Sequence, residues 1–147
     1  MTIFKFILLV VLSSSFFSAT AMAETDTLGA CGKKPNCVSS VYSGAQQPQW
    51  FIEPLNYDAN TMPHEEAYQK LLEILDEAGF EVVAEYPLIK AVAITKWMKF
   101  KDDMIFILDE NTSRIQMRSE SRKGYSDFGK NRKRLEKIRT QFQEKIH

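Results

Sequence analysis

MRSESRKGYSDFGKNRKRLEKIR, residues 117–139, holds the junction on which the fold turns. Its approach is a strand. Ile115, Met117 and Ser119 fall on one side of an extended chain, and Arg114, Gln116, Arg118 and Glu120 on the other, joined by Arg122 if the strand continues, because successive strand side chains point to opposite faces. Its exit has helical period instead. At about 100° per residue, Phe128, Asn131, Leu135, Ile138, Phe142 and Ile146 gather within a stripe ~80° wide. The spacing predicts a helix from about Asp127 to Lys145, capped by Ser126 or Asp127, with that stripe facing a sheet. Arg132 and Arg139 lie on one shoulder of the stripe, while Lys130, Lys133 and Lys137 point away. Asn131 lies inside it, where an amide is costly unless hydrogen-bonded. Between the two periods stand Gly124, Tyr125, Ser126 and Asp127, and from Arg118 to Arg134 the chain carries seven arginines and lysines, more than a solvated turn requires.

Working back from the junction, Phe80–Tyr86, Ile89–Met98 and Met104–Leu108 also read as strands. Short links favour hairpins, and Asp109-Glu110-Asn111-Thr112 is the clearest turn. An earlier helix begins at Asn60-Thr61-Met62-Pro63, with Glu65 and Glu66 near the positive end of its dipole. Ala67, Leu71, Ile74, Leu75 and Ala78 recur at helical spacing, and Gly79 stands where a left-handed residue ends a helix. The predicted fold is α+β: an antiparallel sheet of four to five strands with two helices packed on one face. Residues 51–147 form a single domain, with a short strand near Trp50–Leu55. Residues 24–50, rich in turn formers such as Gly32, Pro35, Gly44 and Pro48, read as an extended lead-in.

Residues 1–23 read as a secretory signal peptide. Lys5 supplies the positive start, Phe6–Phe17 an apolar run interrupted by three serines, and Ala21-Met22-Ala23 the small-x-small cleavage pattern. That run is shorter than the ~20 residues a membrane span needs, so no transmembrane segment is expected in the mature chain. The alternative is a lipoprotein, since Leu28-Gly29-Ala30-Cys31 resembles a lipobox, although Glu24 and Asp26 separate it from the apolar run. The expected location is periplasmic or secreted. Cys31 and Cys37 would then meet an oxidising compartment, where a disulfide pinning the lead-in is the favoured state. His64 and His147 are the only histidines, too few for a four-ligand metal site or for a serine triad, and no phosphate-binding glycine loop is present. No metal or cofactor is expected.

The segments PNCVSS (35–40), FKDDMIF (100–106) and RSESRKGYSDFGKNRKR (118–134) resemble the domain of unknown function 1499 family, a group of exported and envelope proteins. The resemblance extends over roughly residues 31–142 and departs from the family pattern at Glu120, Lys123 and Lys130. It brings no reaction, cofactor or ligand with it.

Formal charge is balanced overall but not along the chain. Residues 24–117 carry 8 basic and 15 acidic side chains, and residues 118–147 carry 10 basic and 4 acidic. Either the basic C-terminal helix packs on acidic surface of its own domain, or it faces an anion. Export makes nucleic acid an unsuitable partner. A small anion, a lipid headgroup, an envelope polymer or an acidic protein suits the address. The candidate ligand-binding residues are Asp102, Asp103, Arg118, Arg122, Tyr125, Asp127, Asn131 and Arg132, with guanidinium forks suited to carboxylate or phosphate. Each also has a purely structural role open to it, as ion pair, amide bridge or core cover. The leading expectation is a non-enzymatic binding or accessory protein. The alternatives are a structural partner docked through Lys130, Lys133 and Lys137, and an envelope hydrolase using Asp103 or Asp127 as base.

Overall fold

Alternation sets the centre of the sheet. In the computed structural model, which describes residues 28–147, β5 (Lys101–Asp109) buries Asp102, Met104, Phe106 and Leu108. β6 (Arg114–Ser121) buries Ile115, Met117 and Ser119, as the period of two requires. The two strands pair antiparallel around the 110–113 turn, setting Phe106 against Met117 and Leu108 against Ile115. Asp109 fixes that turn by accepting the Asn111 amide at 3.1 Å and the Thr112 hydroxyl at 2.7 Å. β4 (Leu88–Ile94) and β3 (Glu81–Glu85) continue the sheet by hairpins on the β5 side. The expected signal peptide, residues 1–23, lies outside the described residues.

The other edge is built from the segment expected as lead-in. β1 (Cys37–Ser39) pairs with Glu120–Arg118 of β6, and β2 (Leu55–Asn56) pairs with β6 at Ile115 and Arg114. The result is one antiparallel sheet of six strands, with β1-β6-β5-β4-β3 in order and β2 beside β6. Cys37 is joined to Cys31 by the expected disulfide, with Cα atoms 5.6 Å apart. Closing so short a loop restricts the unfolded chain by about 2 kcal/mol. Serine at both positions is therefore expected to lower the urea midpoint by that amount of stability with little change in slope. An unaltered midpoint would mean that β1 is held by its neighbours alone.

Both helices cover one face. Ala67, Leu71, Ile74 and Leu75 of α1 (His64–Glu77) and Leu135, Ile138 and Phe142 of α2 (Lys130–Ile146) meet Ile89, Met104, Phe106 and Met117 in one core. Each large side chain so buried contributes roughly 1.5–3 kcal/mol. α1 stops at Gly79, whose φ of 72° is left-handed. At the far end of α2, Lys145 reaches Glu77 at 2.8 Å and Glu73 at 3.5 Å on α1, so part of the basic charge does meet acidic surface of its own domain.

Two departures from the sequence reading shape the site. α2 starts later than Asp127, because Phe128 and Gly129 take left-handed φ values of 54° and 74° and form a turn closed by the Lys130 amide on the Asp127 carbonyl. Phe128, placed by spacing in the buried stripe, is consequently turned out to solvent. β4 likewise ends at Ile94 rather than Met98. The Thr95 hydroxyl accepts the Phe100 amide at 2.9 Å, and the Thr95 amide donates to the Phe100 carbonyl, which closes residues 95–100 into a loop.

Candidate functional site

The eight residues singled out by the sequence separate between the two faces of the sheet and the loops around it. On the helix face, Asn131 is fully buried and uses its whole amide. Its oxygen accepts the Ser119 hydroxyl at 2.5 Å and Arg134 Nη1 at 3.0 Å, and its nitrogen donates to the Asn36 carbonyl at 3.0 Å and Ser121 Oγ at 2.9 Å. Arg134 Nη2 in turn donates to Asp102 Oδ2 at 2.7 Å. Asn36 Nδ2 donates to the carbonyls of Ser121 and Gly124. This polar knot ties the β1 edge, the end of β6, the start of β5 and α2 together. Beside it the Asp127 carboxylate accepts the amides of Gly129 at 3.0 Å and Asn131 at 2.7 Å, so it remains the capping group although the helix starts later.

On the outer face, Arg122 grips the Asp103 carboxylate through Nε and Nη2, at 2.8 and 2.7 Å, and that bond raises the arginine's already high pKa. Arg118 pairs with Glu120 two residues along the same strand. Arg132 lies elsewhere again. Its guanidinium donates to the backbone carbonyls of Phe51 at 2.6 Å and Gln49 at 3.0 Å, fastening α2 to the chain before β2. Tyr125 is exposed on the 122–129 loop.

The eight therefore do not form one constellation. Asp103 pairs with Arg122 and Asp102 with Arg134, because a strand sends the two carboxylates to opposite faces. Sequence reasoning missed Arg134. The available signal was its spacing of three from Asn131, which puts both on one side of the helix. Asp103 and Asp127, the candidate bases, are both engaged, one by a guanidinium fork and the other by helix amides.

At the sheet end where these groups lie, a cleft of about 630 Å³ opens between the 95–100 loop and residues 121–130. Its walls are Ile94, Trp97, Met98, Phe100 and Phe128; its floor includes Asp102, Ser121 and Asp127; its rim carries Lys96, Lys123 and Lys130. A smaller hollow of about 320 Å³ adjoins it, where Lys99, Lys101, Arg122 and Lys123 meet. Among the described residues, none of Lys96, Lys99, Lys101, Lys123 and Lys130 forms a salt bridge.

Local stability runs against this arrangement at several points. Among the described residues, six of the nine large hydrophobic side chains left exposed lie in these two loops and the adjoining end of β4, with Trp97 96% and Phe128 85% exposed. Left-handed backbone at a residue such as Phe128 costs about 1–2 kcal/mol. Lys130 stands in the first turn of α2, against the helix dipole, with the capping Asp127 carboxylate the acidic group at that end. Local rules broken together in one place are characteristic of functional sites, and a clustered apolar patch rimmed by charge marks a binding surface. The aromatic loop was hidden in the sequence because Trp97-Met98-Lys99-Phe100-Lys101 looks like the continuation of an alternating strand.

Fold and site thus define an α+β domain on a single six-stranded antiparallel sheet, with an apolar, lysine-rimmed cleft at one end. A family model described as a protein of unknown function (DUF1499) matches residues 27–142, and the chain belongs to that family. Comparison with curated proteins gave no match, nor did comparison with solved structures. No helix among the described residues is long and apolar enough to cross a membrane.

Proposed function

We propose that this is an exported, non-enzymatic binding or accessory protein, and that the anionic group it recognises belongs to an amphiphile held in the cleft between the 95–100 and 122–129 loops. The observation that carries this reading is the pairing of an apolar wall with lysines that have no partner of their own. A hydrocarbon chain buried against Trp97, Met98 and Phe128 is favoured by about 25 cal/mol for each Å² removed from water. A phosphate or carboxylate at the rim meets the ammonium groups of Lys123 and Lys130. The arginines expected to receive the anion support this division of labour, since each is already occupied by a carboxylate or by backbone carbonyls. Export rests on the Lys5, Phe6–Phe17 and Ala21–Ala23 pattern of the leader.

The test is a titration followed by tryptophan emission, with decyl phosphate below its micelle concentration against uncharged decyl maltoside. Saturable binding of the phosphate alone is expected, weakened about tenfold in Lys123→Gln/Lys130→Gln, the loss of two exposed charge contacts. The recovered amphiphile should have unchanged mass. Equal binding of both compounds, or none of either, would overturn the reading.

A further inference from the structure

Beside the cleft, the tips of the two loops carry large apolar side chains that are exposed. Trp97 and Met98 stand at the head of the β4–β5 loop, with Tyr125 and Phe128 on the neighbouring β6–α2 loop, all exposed. Around them lie Lys99, Lys101 and Lys123, which form no salt bridge among the described residues. The β4–β5 loop is built to hold its tip out. The Thr95 amide donates to the Phe100 carbonyl, the Phe100 amide donates to the Thr95 hydroxyl, and the Lys99 amide donates to the Thr95 carbonyl at 3.1 Å. Aromatic side chains projecting from a closed loop, ringed by unpaired ammonium groups, match the interfacial zone of a bilayer. There tryptophan and tyrosine rings sit at headgroup level and lysines meet phosphate.

We infer that these two loops dock the protein on the surface of a lipid bilayer carrying anionic headgroups, with Trp97 and Phe128 entering the interface and the cleft mouth opening onto it. Charge complementarity selects this occupant. An apolar protein groove would satisfy the aromatic tips but leave the lysines unpaired, whereas an anionic headgroup layer meets both. What enters the cleft rests on the amphiphile reading; docking of the loops is tested apart from it.

The full chain is expressed, purified as the cell processes it, and given a single reporter by Trp50→Phe, since Trp50 and Trp97 are its only tryptophans. Binding is measured to vesicles of phosphatidylcholine with and without phosphatidylglycerol. With the anionic lipid, Trp97 emission should shift to the blue and be quenched by brominated acyl chains, and added salt should reverse the binding. Each basic side chain near such a surface contributes about fivefold, so Lys99→Asn/Lys101→Gln should weaken binding about 25-fold. Asparagine is chosen at Lys99 because its φ of 53° is left-handed. Thermal unfolding of each variant checks that the fold is kept; Trp97→Ala, exposed and outside the core, should keep it and lose about tenfold in binding. Binding indifferent to lipid charge, or bound protein whose Trp97 emission stays that of a solvated indole, would overturn the docking. Decyl phosphate binding without vesicle binding would overturn it too while leaving the cleft reading in place. Vesicle binding without decyl phosphate binding supports docking and rejects the cleft ligand.

Discussion

Alanine at Asn131 is expected to destabilise the domain by about 3 kcal/mol, lowering the thermal midpoint by roughly 10 °C. The size follows from what the amide leaves behind. Ser119 loses its acceptor, the Asn36 carbonyl loses a donor, and Ser121 and Arg134 each lose one bond. A buried polar group without a partner costs about 1–3 kcal/mol, but water entering from the adjacent cleft should recover part of that. Asn131→Leu separates the bonds from the volume. It fills the space yet satisfies none of the four groups, so it should be no more stable than the alanine variant. Urea unfolding of the three proteins decides the matter. A leucine variant as stable as the parent would show that the knot contributes specificity rather than stability, as satisfied polar networks sometimes do.

Asn131 shows how far the sequence could be read. An amide in an apolar helical stripe has to be satisfied, and the chain announces that need without naming the partners. One of them, Asn36, is 95 residues away and reaches Asn131 only through the pairing of β1 with β6. The long alternating strands and both helices were legible because their periods are local properties. β1 was not, since three residues between turns have no period to show, and its register is fixed by Glu120–Arg118 in the last strand. Phe128 and Trp97 failed for a related reason. Each continues the spacing of its neighbours, but the backbone leaves the regular element first, at the left-handed Phe128–Gly129 pair in one case and at the Thr95 hydroxyl in the other. Those exits created the cleft. The density of the arginine cluster was legible but the separate partners of its members were not, since a sequence shows which faces alternate but not which partner each side chain finds across the sheet.

That distinction is sharpest at the adjacent aspartates, where the two alanine variants should behave oppositely. Asp102→Ala is expected to cost about 3 kcal/mol, and Asp103→Ala to leave the unfolding midpoint where it is. Both carboxylates are held by arginine at 2.7 Å, so distance alone predicts equal effects. Burial decides otherwise. The side chains of Asp102 and Arg134 are 5% and 17% exposed, those of Asp103 and Arg122 41% and 48%. Removing Asp102 strands a largely desolvated guanidinium that then has only Asn131 Oδ1 to bond. Removing Asp103 returns Arg122 to water, where its charge is well solvated and salt already screens the pair. The Asp102→Ala loss should therefore persist in molar salt. It should also shrink when Arg134 is changed to methionine in the same chain, because the stranded charge is then gone. Equal losses from the two single variants would show that strand pairing between β5 and β6, not the pairing of Asp102 with Arg134, is what the aspartates support. An Asp102→Ala effect abolished by salt would place that pair in solvent and open the floor of the cleft to a ligand's own charge.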